Sequence, residues 1–118
     1  MHGLDKNVDL TFLIGREVIQ ICIGMYQVIF VFDEDVTVSV EQGFEVVTAQ
    51  TSAKWVPGEP TLASSTVALL GAGVKSVHAQ ENGTLELAFS NGANLVLRDE
   101  NSKFESYQIT RPGQTIVV

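Results

Sequence analysis

The chain has one cysteine, few basic residues and no uninterrupted apolar run of membrane-spanning length, and each shortage closes off a class of function. Cys22, alone in 118 residues, has no intramolecular disulfide partner, and one cysteine cannot build a thiolate zinc cage. A single thiol suits a reducing compartment. The first ten residues, MHGLDKNVDL, lack the basic stretch and apolar core of a signal peptide, so a cytoplasmic location is expected. Seven Lys and Arg stand against 14 Asp and Glu, a net charge of −7. Without a Lys/Arg cluster the chain cannot displace counterions from a nucleic-acid backbone, and the same shortage disfavours an anionic membrane surface. A basic protein partner, by contrast, would be steered toward it. The apolar stretch 12–32 is broken by Arg16, Glu17, Gln20 and Gln27 and is not a membrane span. Catalytic motifs are missing too: no Gly-X-Ser-X-Gly elbow, glycine-rich phosphate loop or HEXXH helix occurs, so neither an enzymatic activity nor a cofactor is expected.

The sequence is rich in strand and turn signals. Leu85, Leu87 and Phe89 alternate with Glu86 and Ala88, Asn91-Gly92 supplies two residues that tolerate positive φ, and Leu95 and Leu97 resume the alternation. The segment 84–99 therefore reads as a β-hairpin around a type I′ turn. A hydrophobic fraction of 45% with 18% charged residues describes a folded globule. At this length a single domain buries roughly two-thirds of its unfolded-chain surface.

The first half repeats the pattern. Leu13-Ile14-Gly15 matches Leu69-Leu70-Gly71, Val18 matches Val74 and Ile21 matches Val77, all at an offset of 56 (71 − 15). Beyond the next turn the offset is 57 (89 − 32), pairing Phe32 with Phe89, Val38 with Leu95 and Val40 with Leu97. Further on, Phe44-Glu45 matches Phe104-Glu105 at an offset of 60 (104 − 44). One domain, 1–118, made of two repeats at about 13–48 and 69–110 and joined by a loop and short helix at 49–68, is expected. The fold class is mainly β, two antiparallel β-meander units forming a barrel or a sandwich with one short helix between them; α+β is the alternative.

First-half strands are expected at 17–23, 27–32, 36–40 and 44–48. Ile19, Ile21 and Ile23 share one face with Val18 and Cys22 on the other, and Val28, Phe30 and Phe32 are interleaved with Ile29 and Val31. A strand apolar on both faces needs cover on both. A helix over 61–70 supplies it, begun by Pro60, ended by Gly71 and striped by Leu62, Val67, Leu69 and Leu70. A second subunit on the Ile29 and Val31 face would add to that cover, so a homodimer is also expected. Asp9 is placed to cap a turn over 11–14 that Gly15 closes. The segment 50–60, with Pro57-Gly58, reads as a connecting loop, and Arg111-Pro112-Gly113-Gln114 as a type II turn between strands at 106–110 and 115–118.

Several polar groups are candidates for binding or chemistry. Asp33-Glu34-Asp35 places three carboxylates at a hairpin tip without the spacing of a calcium loop; it reads as a solvated turn or as an acidic contact. Asp99-Glu100-Asn101-Ser102 reads as another polar connection. Cys22 and His78 occupy matched positions, but no third group orients them as nucleophile and base. Their plainer reading is a partly buried, hydrogen-bonded histidine and an inert buried cysteine. Trp55 either plugs an open end of the core or anchors a partner. The matched Glu45 and Glu105 either hydrogen-bond backbone amides at strand starts or form an acidic pair for a partner's Arg or Lys. The expected function is a non-enzymatic protein-binding module that uses Glu45, Glu105, Trp55, Asp33, Glu34 and Asp35. The alternatives are a small-ligand-binding β-barrel and a homo-oligomeric structural domain.

The second repeat, from Leu69-Leu70-Gly71 through Phe89-Ser90-Asn91-Gly92 to Phe104-Glu105-Ser106-Tyr107, resembles small bacterial domains of uncharacterised function. Those domains carry a Leu-X-Gly, Phe-X-Asp/Asn-Gly, aromatic-Glu-Ser/Ala-aromatic pattern. The first repeat keeps Leu13, Gly15, Phe32, Phe44 and Glu45 but has Glu34-Asp35 for Asn-Gly and Val46-Val47 for Ser-aromatic. The resemblance implies no established activity. By analogy of class, some small acidic bacterial proteins neutralise secreted toxins, which makes an immunity-like masking of a basic toxin the sharpest form of the binding role.

Overall fold

The alternation in the sequence resolves into two five-stranded antiparallel sheets in the computed structural model, which describes residues 8–98 and 106–118. The first sheet runs β1 (Val18–Ile23), β2 (Val28–Phe32), β3 (Val36–Val40), β9 (Tyr107–Arg111) and β10 (Gln114–Val117). The second runs β5 (Ser52–Trp55), β4 (Phe44–Val47), β8 (Asn94–Leu97), β7 (Leu85–Phe89) and β6 (Val74–Ala79). The sheets do not close into a barrel; they form a sandwich. Phe30, Phe32, Val38 and Val40 meet Leu85, Leu87, Phe89, Leu95 and Leu97 in its core.

Each three-stranded meander hands its next hairpin to the opposite sheet. β4 pairs with β8, and β9 pairs with β3. Phe44 stands opposite Leu97 and Tyr107 opposite Val40. Since Val40 and Leu97 correspond between the halves, Tyr107 occupies the place of Phe44 and Gln108 that of Glu45. The Phe-Glu match is therefore displaced by three residues, because strand pairing and not the local dipeptide sets register. Phe104 and Glu105 lie outside the described residues.

The halves join at a reciprocal seam. Glu17 bridges Gly73, Gly15 N donates to Val74 O at 2.8 Å, and Gly71 N donates to Val18 O at 2.8 Å. Gly15 and Gly71 take φ of 87° and 81°, left-handed bends that send each preceding helical turn into its strand. Both β1 and β6 then bulge one residue in, so that Gln20, not Ile19, faces Val31, and Ser76 faces Ala88. The bulge re-phases β1: Val18 and Ile21 turn toward the core, Gln20 and Cys22 turn out, and Ile19 is left 58% exposed. The expected common face for Ile19, Ile21 and Ile23 is overturned by that inserted residue.

The helix between the halves, η2 (Pro60–Leu69), is a run of 3-10 turns. Its buried residues, Ala63, Thr66 and Leu69, recur every third position, whereas Leu62, Val67 and Leu70 of the expected stripe are exposed. It packs on β1 and β5, closing the open side between edge strands of the two sheets, and does not lie over Ile29 and Val31 as expected. β5 falls within the expected loop; four residues beside Pro57 and Gly58 are too short to register as a strand. At the N-terminal side, η1 (Thr11–Leu13) begins where Asp9 Oδ1 accepts from Thr11 N at 2.9 Å, as expected, and buries Leu13.

The hairpin turns depart from expectation in opposite ways. Of Asn91-Gly92 only Gly92 is left-handed, with φ 89°, so the loop is not type I′. Phe89 N donates to Ala93 O at 2.8 Å across a three-residue loop, and Asn91 Nδ2 reaches Ala68 O at 2.9 Å, tying the turn to the end of η2. In the first half it is Glu34 and Asp35 that take left-handed backbone, at φ 60° and 58°. Gly113, at φ 81°, fits the type II turn expected between β9 and β10.

Candidate functional site

The β2–β3 tip splits its three carboxylates. Asp33 Oδ1 accepts from Glu17 N at 3.0 Å and lies 3.7 Å from Arg16 Nη1, so it latches the seam. Ser90 does the same in the second half, its Oγ accepting from Gly73 N at 3.2 Å. Glu34 and Asp35 project into solvent, with Arg16 4.0 Å from Glu34. Among the described residues no group of three His, Cys, Asp or Glu is disposed to hold a metal.

At the other end of the first half, Trp55 is 1% exposed and stacks on Phe44 at 5.2 Å and 20°, while Phe44 meets Phe30 edge-on at 5.4 Å. Trp55 is a core plug, not an exposed anchor; its indole N–H is buried without a hydrogen-bond partner. Among the described residues Glu45 bonds no backbone amide. Its Oε2 accepts from the Ser52 hydroxyl and its Oε1 from Arg98 Nη2 at 3.0 Å. The Ser52 hydrogen bond first, and Arg98 second, hold the Glu45 carboxyl below the usual glutamate range. Lys54 faces Glu45 across the β4–β5 ladder. Beside this group opens a cavity of about 190 Å³, walled by Phe44 and Trp55 and edged by Gln42, Lys54 and Arg98. Glu105, the other half of the expected acidic pair, lies outside the described residues, and by register Gln108 stands where Glu45 does.

Cys22 and His78 are both exposed, which overturns the expectation of burial. β1 and β6 leave the Glu17–Gly73 bridge in opposite directions, carrying the two side chains to opposite ends of the molecule. They cannot act as nucleophile and base on one another.

The Ile29 and Val31 face, expected to take a second subunit, is one part of a wider surface that the sequence does not delimit. The outward residues of the first sheet form two rows across its five strands: Gln20, Val31, Thr37, Thr110, Thr115 and Cys22, Ile29, Ser39, Gln108, Val117. None of the ten is charged. The corresponding rows on the second sheet include His78, Glu86, Glu45 and Lys54. The neutral face is assembled from five separate segments, and the bulge in β1 shifts one of them by a residue. Only strand order and register together reveal its extent beyond Ile29 and Val31.

Among the described residues no helix is long and apolar enough to cross a membrane. The chain belongs to a family whose model, described as "Family of unknown function (DUF6188)", matches residues 10–118. This agrees with the resemblance to domains of uncharacterised function. No curated protein and no solved structure matches the chain significantly.

Proposed function

We propose that the chain is a non-enzymatic protein-binding module whose contact surface is the uncharged outer face of the first sheet, and that a second copy of the chain binds there. The observation that carries this reading is the ten-residue face without a charge on a chain of net charge −7. Two such copies repel through most orientations. A two-fold packing of the neutral faces is the approach that sets no like charges opposite one another. Ile29, Val31 and Val117 give the face an apolar share, and its threonines keep it flat. Five strands about 4.8 Å apart and five residues long make a footprint of roughly 400 Å² in projection. That lies at the small end of specific interfaces, so the dimer is a reversible one.

Cys22, the single thiol, sits at the edge of the face and reports on it. Its alkylation should slow as protein concentration rises, in step with dimerisation seen by sedimentation. Thr37→Glu/Thr110→Glu, a pair opposed across β3 and β9, puts two carboxylates in mid-face and should leave a folded monomer. A wild-type protein that is monomeric at every concentration, or a dimer indifferent to the double substitution, would overturn the reading.

The acidic tip supports a second, basic partner, in the manner of an immunity protein that masks a toxin. Glu34 and Asp35 are free of the seam latch that engages Asp33, and they project from an already acidic chain. Capture of a basic protein should weaken with salt and be lost in Glu34→Gln/Asp35→Asn but kept in Thr37→Glu/Thr110→Glu. Salt-insensitive capture would count against it.

A further inference from the structure

β1 and β6 hold the same place in the two halves, each at the edge of its sheet, and their six residues share one pattern of exposure. Their sequences differ in kind. VKSVHA in β6 carries Lys75 at the bulge, where VIQICI in β1 has Ile19 (75 − 19 = 56, the repeat offset). A lysine on an edge strand deters other strands from pairing with it. Both positions are exposed, so the fold itself does not call for an isoleucine. β1 is left uncharged, rich in β-branched residues and free of proline, the composition of a strand that pairs with its like.

The open part of this edge lies beyond the seam. Val18 is engaged there, its N–H donating to Ala72 O at 3.0 Å and its C=O accepting from Gly71 N. At the far end Gly24 N donates to Gln27 O at 2.8 Å, so the residues bonded to β2 alternate as Gly24, Cys22 and Gln20. Ile21 and Ile23 therefore turn their N–H and C=O groups outward, and among the described residues no strand lies beyond β1 to take them. We propose that β1 of a second copy takes them, antiparallel about a two-fold axis at Cys22. Ile21 of each copy then exchanges hydrogen bonds with Ile23 of the other, and the two thiols face one another. Three residues from the axis (22 − 3 = 19, 22 + 3 = 25), exposed Ile19 of one copy comes toward exposed Met25 of the other. Met25 sits on a tip held by Gly58 N, which donates to Met25 O at 2.8 Å. Residues 18–27 carry no charge, so the symmetric approach sets none against its like. The pairing joins two five-stranded sheets into one of ten along about 20 Å of strand, less than a stable interface needs, so the contact is transient. It uses the edge of the first sheet and not its neutral face, and it is independent of the face-to-face dimer.

Cys22 is exposed and is the single cysteine, so an oxidant traps the contact. Opposed residues of a non-hydrogen-bonded pair have Cα atoms about 4.5 Å apart, within reach of a disulfide. The full chain is treated with diamide, which accepts the two protons and two electrons that the thiols give up, and the rate of disulfide-linked dimer is measured. Each rate is divided by that of thiol alkylation in dilute protein, so altered reactivity is not read as lost pairing. Ile19→Lys, which copies Lys75, should slow cross-linking roughly five-fold or more, although it lowers the net charge to −6 (−7 + 1) and so weakens repulsion between copies. Ile23→Pro, which removes an outward N–H and spares the pairing with β2, should slow it as well. Cys22→Ser/His78→Cys moves the thiol to the matched position on the Lys75 edge and should cross-link several-fold more slowly than wild type. Equal rates for that variant and wild type, or an unchanged rate in both β1 variants, would overturn the proposal. Thr37→Glu/Thr110→Glu should cross-link like wild type. A loss there, with none in Ile19→Lys, would assign the thiol contact to the neutral face, and the edge pairing would fall.

Discussion

Replacing Glu34-Asp35 by Asn-Gly should stabilise the protein, although it removes two charged side chains and adds no contact. Glu34 and Asp35 are the two non-glycine residues with positive φ among those described, at 60° and 58°. Left-handed backbone costs an L-residue about 1–2 kcal/mol, with Asp at the lower end because its short side chain can bond locally. Glu34→Asn should recover about 1 kcal/mol and Asp35→Gly about 0.5 more. Against this, glycine gains freedom in the unfolded chain, about 0.5–1 kcal/mol. The Arg16–Glu34 contact, at 4.0 Å with the glutamate side chain 74% exposed, contributes next to nothing. The net gain is about 0.5–1 kcal/mol, or roughly 2–5 °C in thermal midpoint for a domain of this size. Urea unfolding followed by Trp55 emission measures it. Glu34→Gln serves as the control, since it removes a charge and keeps the left-handed strain. A double variant no more stable than that control would show that the tip is relaxed and that electrostatic relief alone accounts for the gain.

Three further outcomes follow from single contacts. Tyr107 Oη donates to Gly83 O at 2.6 Å inside the core, so Tyr107→Phe leaves a buried carbonyl unmatched and should lower the unfolding free energy by about 1–3 kcal/mol, read as a lower urea midpoint with an unchanged slope. Gly43→Ala should destabilise by about 2 kcal/mol and shift Trp55 emission, because Gly43 holds φ 135° and an added Cβ would lie 3.0 Å from Trp55 O. Glu45 titrates in the folded state below the usual glutamate value of 4.5. Its contribution to stability is thus complete above that value and lost as pH falls through the lower folded one. Urea midpoints of wild type and Glu45→Gln, compared from pH 6 down to pH 2, should converge toward acid; a constant gap would mean that Ser52 and Arg98 do not favour the carboxylate.

Local signals carried the strands. Val36, Val38 and Val40 alternate with Thr37 and Ser39 without interruption, and β3 occupies the expected 36–40. Of the two readings of Trp55, the plug, which follows from its size, holds, and its place among the expected partner contacts does not. The failures share a cause, which is that period counting assumes every residue is in register. A bulge at Ile19 put Val18 on the same side as Ile21 and left Ile19 exposed, and a 3-10 run turned a 3.6-residue stripe into the wrong set of buried positions. The Phe-Glu match misled because register between β3 and β9 is set by residues far apart in sequence. Glu45 could not be assigned its partner either, since Arg98 is 53 positions away.

Where the two halves build one feature from different residues, the fold has been satisfied twice and the difference is not structural. Asp33 and Ser90 are interchangeable in this sense, each accepting from the amide that crosses the seam. The outer faces are not. His78, Glu86, Glu45 and Lys54 of the second sheet stand where the first sheet has Cys22, Ile29, Gln108 and Val117. Both rows complete the same ladders, so backbone pairing cannot explain why one is charged and the other bare. Solubility favours charge on each face equally. A face that forgoes it across five strands is shaped by something other than water, and a chain of −7 gains most when that something brings no charge of its own.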